Sequence, residues 1–179
     1  MITLAYVFVL LALIMRIPSV AHPWGFTPVT AALLYFGARA SRRQLWIPLT
    51  LLIASDIVLD KFFYSYPLSW DLLLTWAWYA AMLGLGTALS KNTKPLRVAG
   101  AALTGSISFF VVSNFGVWAA TAMYPKALSG LMTCYAVGVP FFRRGMEGDL
   151  LFTAMMFGLP VVAAALAGSM SRPHGPAAA

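Results

Sequence analysis

The chain has 179 residues, of which 61% are hydrophobic and 9% charged, with a formal net charge of +7. So few charges exclude a soluble helical fold, which needs a polar face along every helix, and the length leaves no room for a large extramembrane domain beside a bundle whose spans take roughly 20 residues each. The basic residues lie in short connections beside apolar runs, not in a patch interleaved with aromatics, so the expected partner is the lipid bilayer and not nucleic acid.

The pattern predicts an all-α polytopic integral membrane protein. It has about six transmembrane helices in one bundle, forming a single domain over residues 1–170 with a disordered tail over 171–179. The first apolar run, 2–15, has no Lys or Arg before it, so Ser19-Val20-Ala21 is not read as a signal-peptide cleavage site and the run is kept as span one. Spans two to five are expected over 26–38, 45–59, 72–89 and 98–123, and span six over 150–168. Between the last two lies a shorter stretch, 128–142, interrupted by Gly130, Gly138 and Pro140 and followed by Arg143 and Arg144. Two glycines and a proline weaken a helix, and a pair of arginines is expensive to draw through lipid. A re-entrant or surface-lying lid is therefore predicted there.

A cytoplasmic N-terminus places Arg39, Arg42, Arg43, Lys91, Lys94, Arg97 and Arg172 inside, seven of the twelve Lys and Arg, while Asp60, Asp71, Glu147 and Asp149 fall at the opposite face. The positive-inside rule favours that orientation.

Asp56 is the one acid well inside an apolar run, with Asp60 a turn later on the same face. Ionisable residues at membrane depth face the bundle interior or a wet cavity, as binding groups or as structural hydrogen-bond acceptors. In span five Asn114 and Trp118 stand one turn apart: an amide that needs partners beside a flat apolar surface with one N–H donor, suited to a small organic molecule or to helix packing and an interfacial anchor. Tyr124-Pro125-Lys126 ends that span, and Cys134 in the lid is expected to face a cavity walled by Asn114 and Trp118. Asp71 and Asp149 precede spans four and six and are read as N-terminal caps, Asp149 with a further option as a gate beside Arg143 and Arg144. Trp70, Trp76, Trp78 and Tyr79 form an expected interfacial belt. The candidate substrate-binding set is thus Asp56, Asn114, Trp118, Tyr124, Cys134 and Asp149, most of it at the outer end of the bundle. His22 and His174 are the two histidines, and no nucleophile has an evident base, so no metal, cofactor or enzymatic activity is expected.

The order of Gly25-Phe26-Thr27-Pro28-Val29-Thr30-Ala31, Ser55-Asp56, Ser113-Asn114-Phe115-Gly116-Val117-Trp118, Tyr124-Pro125-Lys126, Gly130-Leu131, Cys134-Tyr135, Pro140-Phe141-Phe142 and Gly148-Asp149 resembles a bacterial membrane family of unknown function that carries a transport label. More loosely, six spans with a Phe26-Thr27-Pro28 entry to span two and an acid at the end of span three resemble the S components of energy-coupling-factor vitamin transporters. That likeness implies a bacterial inner-membrane protein that binds a small-molecule micronutrient at its outer face and works with separate energising transmembrane and ATPase subunits. Span one departs from it: Ala5 and Ala12 lie seven apart instead of in an Ala-xxx-Ala face, which leaves a solitary carrier open. The expected function is uptake of a small organic solute. The alternative is an accessory subunit of a larger membrane complex, docking through Gly84-Leu85-Gly86 and Ala163-Ala164-Ala165.

Overall fold

A computed structural model describes residues 2–17 and 27–170. The expected tail, both histidines, and Gly25 and Phe26 of the span-two motif lie outside the described residues. Six α-helices follow in chain order: α1 (Ile2–Met15), α2 (Val29–Arg39), α3 (Trp46–Val58), α4 (Leu72–Leu89), α5 (Pro95–Ala120) and α6 (Leu128–Met170). A 3₁₀ turn over Arg42–Gln44 leads into α3, and a wider π turn over Leu59–Tyr64 leaves it. The all-helical expectation holds among the described residues, which contain no strand.

Among the described residues only α4, α5 and α6 are long and apolar enough to cross a membrane, fewer than the six spans expected. At 1.5 Å per residue α1, α2 and α3 are about 21, 17 and 20 Å long, against a hydrocarbon core of about 30 Å. In α2 the apolar run serves a different purpose. Residues 29–38 of α2 are all buried, so this helix is the centre of the bundle and not one of its walls. Tyr35 shows why: its ring lies edge-on to Phe8 of α1 at 5.0 Å and to Phe157 of α6 at 5.1 Å, while Phe36 meets Tyr6 at 5.1 Å. Each such pair is worth about 0.5–1.5 kcal/mol beyond area burial. Apolar burial alone does little to hold helices together in lipid, so shape matters more than hydrophobicity here.

The second determinant is a glycine contact between α2 and α4. A Cβ on Gly37 would lie 2.3 Å from the Leu83 carbonyl oxygen and 2.9 Å from Gly86 Cα, so the backbones approach as closely as helices can. Gly86 is therefore used inside the bundle and not as an outward docking face.

The lid expectation is overturned by α6, one helix of 43 residues that begins at Leu128 and continues through Pro140 and Pro160. Three local features explain its continuity. Gly130 fits beneath the preceding loop, where a Cβ would stand 2.1 Å from the Pro125 carbonyl oxygen. Gly138 sits against Asn114 and Phe110 of α5. Arg143 pairs with Glu147 one turn on, at 3.3 Å, on the exposed side of the helix, which answers part of the charge. Proline removes one N–H from the ladder without ending an apolar helix whose neighbours hold it in place. Because α6 runs through residue 149, Asp149 caps nothing. Asp71 does stand at the N-terminus of α4, but its side chain makes no capping hydrogen bond.

α5 opens on Pro95 at its first helical position, where the missing N–H is not needed. It then runs antiparallel to α6, with Tyr135 donating to the Val111 carbonyl at 2.8 Å and Phe110 stacked near Phe142 at 4.7 Å. One end of the bundle gathers Arg16, the end of α3, the start of α4, and the α5–α6 loop. At the other, Gln44 donates to Tyr6 at 3.2 Å close to Arg39, Arg42 and Arg43.

Candidate functional site

Two constellations share the first of these ends. The first is a charged cluster around Asp56, which is buried as expected of an acid inside an apolar run. Arg16, in the turn after α1, donates through Nη2 to Asp56 Oδ1 and through Nη1 to Ser55 Oγ at 2.8 Å. Trp76 Nε1 reaches Asp56 Oδ2 at 3.0 Å, and Tyr79 OH reaches Oδ1 at 3.3 Å. A carboxylate with a guanidinium and two further donors is fully answered, which is what allows it to be buried. Burial acts against the Arg16 charge, but Tyr79 and Asp56 outweigh it and hold the guanidinium above its ordinary pKa. Asp60, a turn beyond and half-buried, has its carboxyl pushed up first by burial and then by the Asp56 charge.

The second constellation is a cavity of about 450 Å³ beside that cluster. Its walls follow from helical spacing. α5 contributes Ser106, Phe109, Phe110, Ser113 and Asn114, and α6 contributes Gly138, Phe141, Phe142, Gly145, Met146 and Asp149. On each helix these positions recur at i, i+3, i+4, i+7 and i+8, so each set forms one face. α2 closes one side with Val29 and Thr30, and α4 with Trp78 and Tyr79; Arg16 lines the edge nearest the Asp56 cluster. Asp149 is buried and accepts a 2.7 Å hydrogen bond from Ser106 Oγ. Asn114 donates through Nδ2 to the Phe110 carbonyl at 2.8 Å, a bond within its own helix that leaves the amide at the cavity wall.

Of the six expected site residues, Asn114 and Asp149 line this cavity, and Asp56 adjoins it through Arg16 and Tyr79. Trp118, Tyr124 and Cys134 do not. Trp118 Nε1 donates to the Pro125 carbonyl at 3.0 Å, while Lys126 lies over its ring at 5.7 Å and donates to the carbonyls of Trp118, Ala119 and Thr121. A cation on the last carbonyls of a helix is a favourable C-terminal cap, so Tyr124-Pro125-Lys126 belongs to the closure of α5. Cys134 is buried with Sγ 3.4 Å from the Asn114 carbonyl oxygen, packed between α5 and α6 and outside the cavity lining. The expectation that it faces a cavity walled by Asn114 and Trp118 is thereby replaced. Asp149 lies inward with Ser106, and Arg143 points outward to Glu147, so the expected gate is not assembled. The belt is likewise reduced to the exposed Trp70: Trp78 and Tyr79 are buried, Trp78 donates to Ser108 at 2.9 Å, and Trp76 donates to Asp56.

Residues 1–171 match one family along nearly the whole chain. The chain belongs to the Family of unknown function (DUF6580). No curated protein and no solved structure matches it. For this DUF6580 member the cavity is therefore the principal guide to activity. Among the described residues no group of three or more His, Cys, Asp and Glu could hold a metal ion. Arg16, Ser106 and Thr30 were not singled out as site residues in the sequence, and Tyr79 was read there only as part of an interfacial belt, although two signals point to Arg16 and Ser106. Arg16 is the one cation before Arg39, and Ser106 lies seven and eight residues before Ser113 and Asn114, on their helical face.

Proposed function

We propose that this protein is a multi-pass protein of the bacterial inner membrane, with a cytoplasmic N-terminus, that binds a small organic solute in the α2–α4–α5–α6 cavity and serves its uptake. The observation that supports this reading is the composition of one partly open cavity: aromatic walls with a few convergent polar groups, Asn114, Ser106, Thr30 and Asp149, in about 450 Å³. Ligand sites of soluble and membrane proteins share that character, an apolar pocket with polar groups that fix orientation. Three helices of spanning length give the setting, and the cavity lies at the bundle end opposite the arginine-rich one, which the charge rule assigns to the outside. Separate energising subunits remain part of the proposal as the source of work, because the chain carries no phosphate-binding loop.

The test is mass spectrometry of the protein purified in mild detergent, with Gly145→Phe as comparison. Gly145 lines the cavity and a Cβ there meets nothing within 4 Å, so the larger side chain fills space without breaking packing. A small molecule recovered with the wild-type protein and lost from the variant supports the reading. Stoichiometric recovery of a larger membrane protein with no small molecule would replace it with the accessory-subunit alternative.

A further inference from the structure

The cavity contains two charged residues, Arg16 and Asp149, and the protein answers only one of them. The Arg16 guanidinium is directed away toward α3, with one nitrogen on Asp56 and the other on Ser55. Asp149 receives a neutral hydroxyl from Ser106, and among the described residues no Lys, Arg or His forms an ion pair with it. A carboxylate at this level of burial is strongly disfavoured unless it takes up a proton or a cation accompanies it. The wall around it is aromatic, with Trp78, Tyr79, Phe109, Phe110 and Phe142 lining the same space. Aromatic faces attract cations through their quadrupole, most strongly where water is excluded.

Resting on the reading of this cavity as a solute site, we infer that its solute is an organic cation, a protonated or quaternary amine on an apolar or aromatic body, whose ammonium group pairs with Asp149 among the aromatic rings. An anionic solute is opposed because the single cavity cation is already committed to Asp56. A neutral solute leaves an ionised Asp149 without a counter-charge.

Three probes on one aromatic skeleton separate these cases: 2-phenylethylammonium, 2-phenylethanol and phenylacetate, carrying charges of +1, 0 and −1 at neutral pH. Binding to the purified wild-type protein, followed by calorimetry, is expected to favour the ammonium probe over both others by at least about tenfold. Asp149→Asn is expected to abolish that preference by lowering the ammonium affinity at least about tenfold, with size-exclusion behaviour and helical circular dichroism reporting that the variant is folded. The wild-type charge series decides the matter even where the variant does not fold. Tighter binding of the alcohol or the carboxylate, or an unchanged ammonium affinity in folded Asp149→Asn, would overturn the cation assignment and leave the solute site standing. Failure of all three probes, together with no small molecule on the purified protein, would remove both.

Discussion

Arg16 and Asp56, forty residues apart in sequence, form an ion pair at one end of the bundle that also holds Ser55, Trp76 and Tyr79. Removing one partner leaves the other charge with reduced solvation and no counter-charge, at about 3–5 kcal/mol for a buried pair. Asp56→Ala is expected to fall in that range, and Arg16→Met at its lower edge because Arg16 keeps some exposure at the cavity. The two changes together should cost less than their sum, with a coupling of about 1–3 kcal/mol. Unfolding of the four proteins in detergent measures it; strict additivity would show that the pair does not act as a unit.

Gly84 and Gly86 provide a paired test of the α2–α4 crossing. A Cβ on Gly86 would stand 2.6 Å from the Leu34 carbonyl oxygen, whereas one on Gly84 would meet nothing within 4 Å. Gly86→Ala is expected to destabilise by about 1–3 kcal/mol because backbone must move. Gly84→Ala gains helix propensity, up to about 1 kcal/mol, with no clash. Thermal unfolding of both variants checks the difference in sign, which propensity alone cannot produce.

Asp56 and Asn114 were legible in the sequence because a polar group inside an apolar run stands out against its surroundings, and Asp149 because it directly precedes such a run. Their partners were not. Arg16 sits beside an apolar run like any topology-setting cation, and only the fold brings it to Asp56. Helix existence was legible from apolar runs, but span number was not: the run of α2 reflects burial against other helices, those of α1 and α3 are too short to cross, and hydropathy does not distinguish protein from lipid as the apolar neighbour. Trp78 and Tyr79 illustrate the same ambiguity, since aromatics near the end of a span fit an interfacial belt and a buried wall equally. Gly138 and Pro140 read as breakers by propensity, yet their effect depends on what packs against them.

Cys134 tests the placement of α6 on α5. It is buried against Asn114, while Met132, two residues earlier on the same helix, is 65% exposed. Maleimide is expected to label Cys134 slowly in the folded protein and rapidly after unfolding, and to label Met132→Cys in a Cys134→Ala background rapidly at once. Because Cys134 does not line the cavity, a bound solute should leave its rate unchanged. Equal rates at the two positions would show that this part of α6 is not packed on α5.

Gly138 decides between two explanations of the first half of α6. If glycine is there to loosen the helix, Gly138→Ala should stabilise by up to about 1 kcal/mol. The structure instead places a Cβ at that position 2.6 Å from Asn114 Oδ1 and 3.0 Å from Phe110 Cε2. Asn114 is tied to the Phe110 carbonyl, so it moves aside only by giving up that bond. Gly138→Ala is therefore expected to destabilise by about 1–3 kcal/mol, and to weaken solute binding as well because Asn114 and Phe110 both wall the cavity. Pro140→Ala, two residues on, restores an N–H to the helix ladder and should leave stability equal or raised. Unfolding and binding measured side by side on the two variants separate the cases. Stabilisation by both substitutions would mean that flexibility, and not close contact with Asn114, is what the glycine provides.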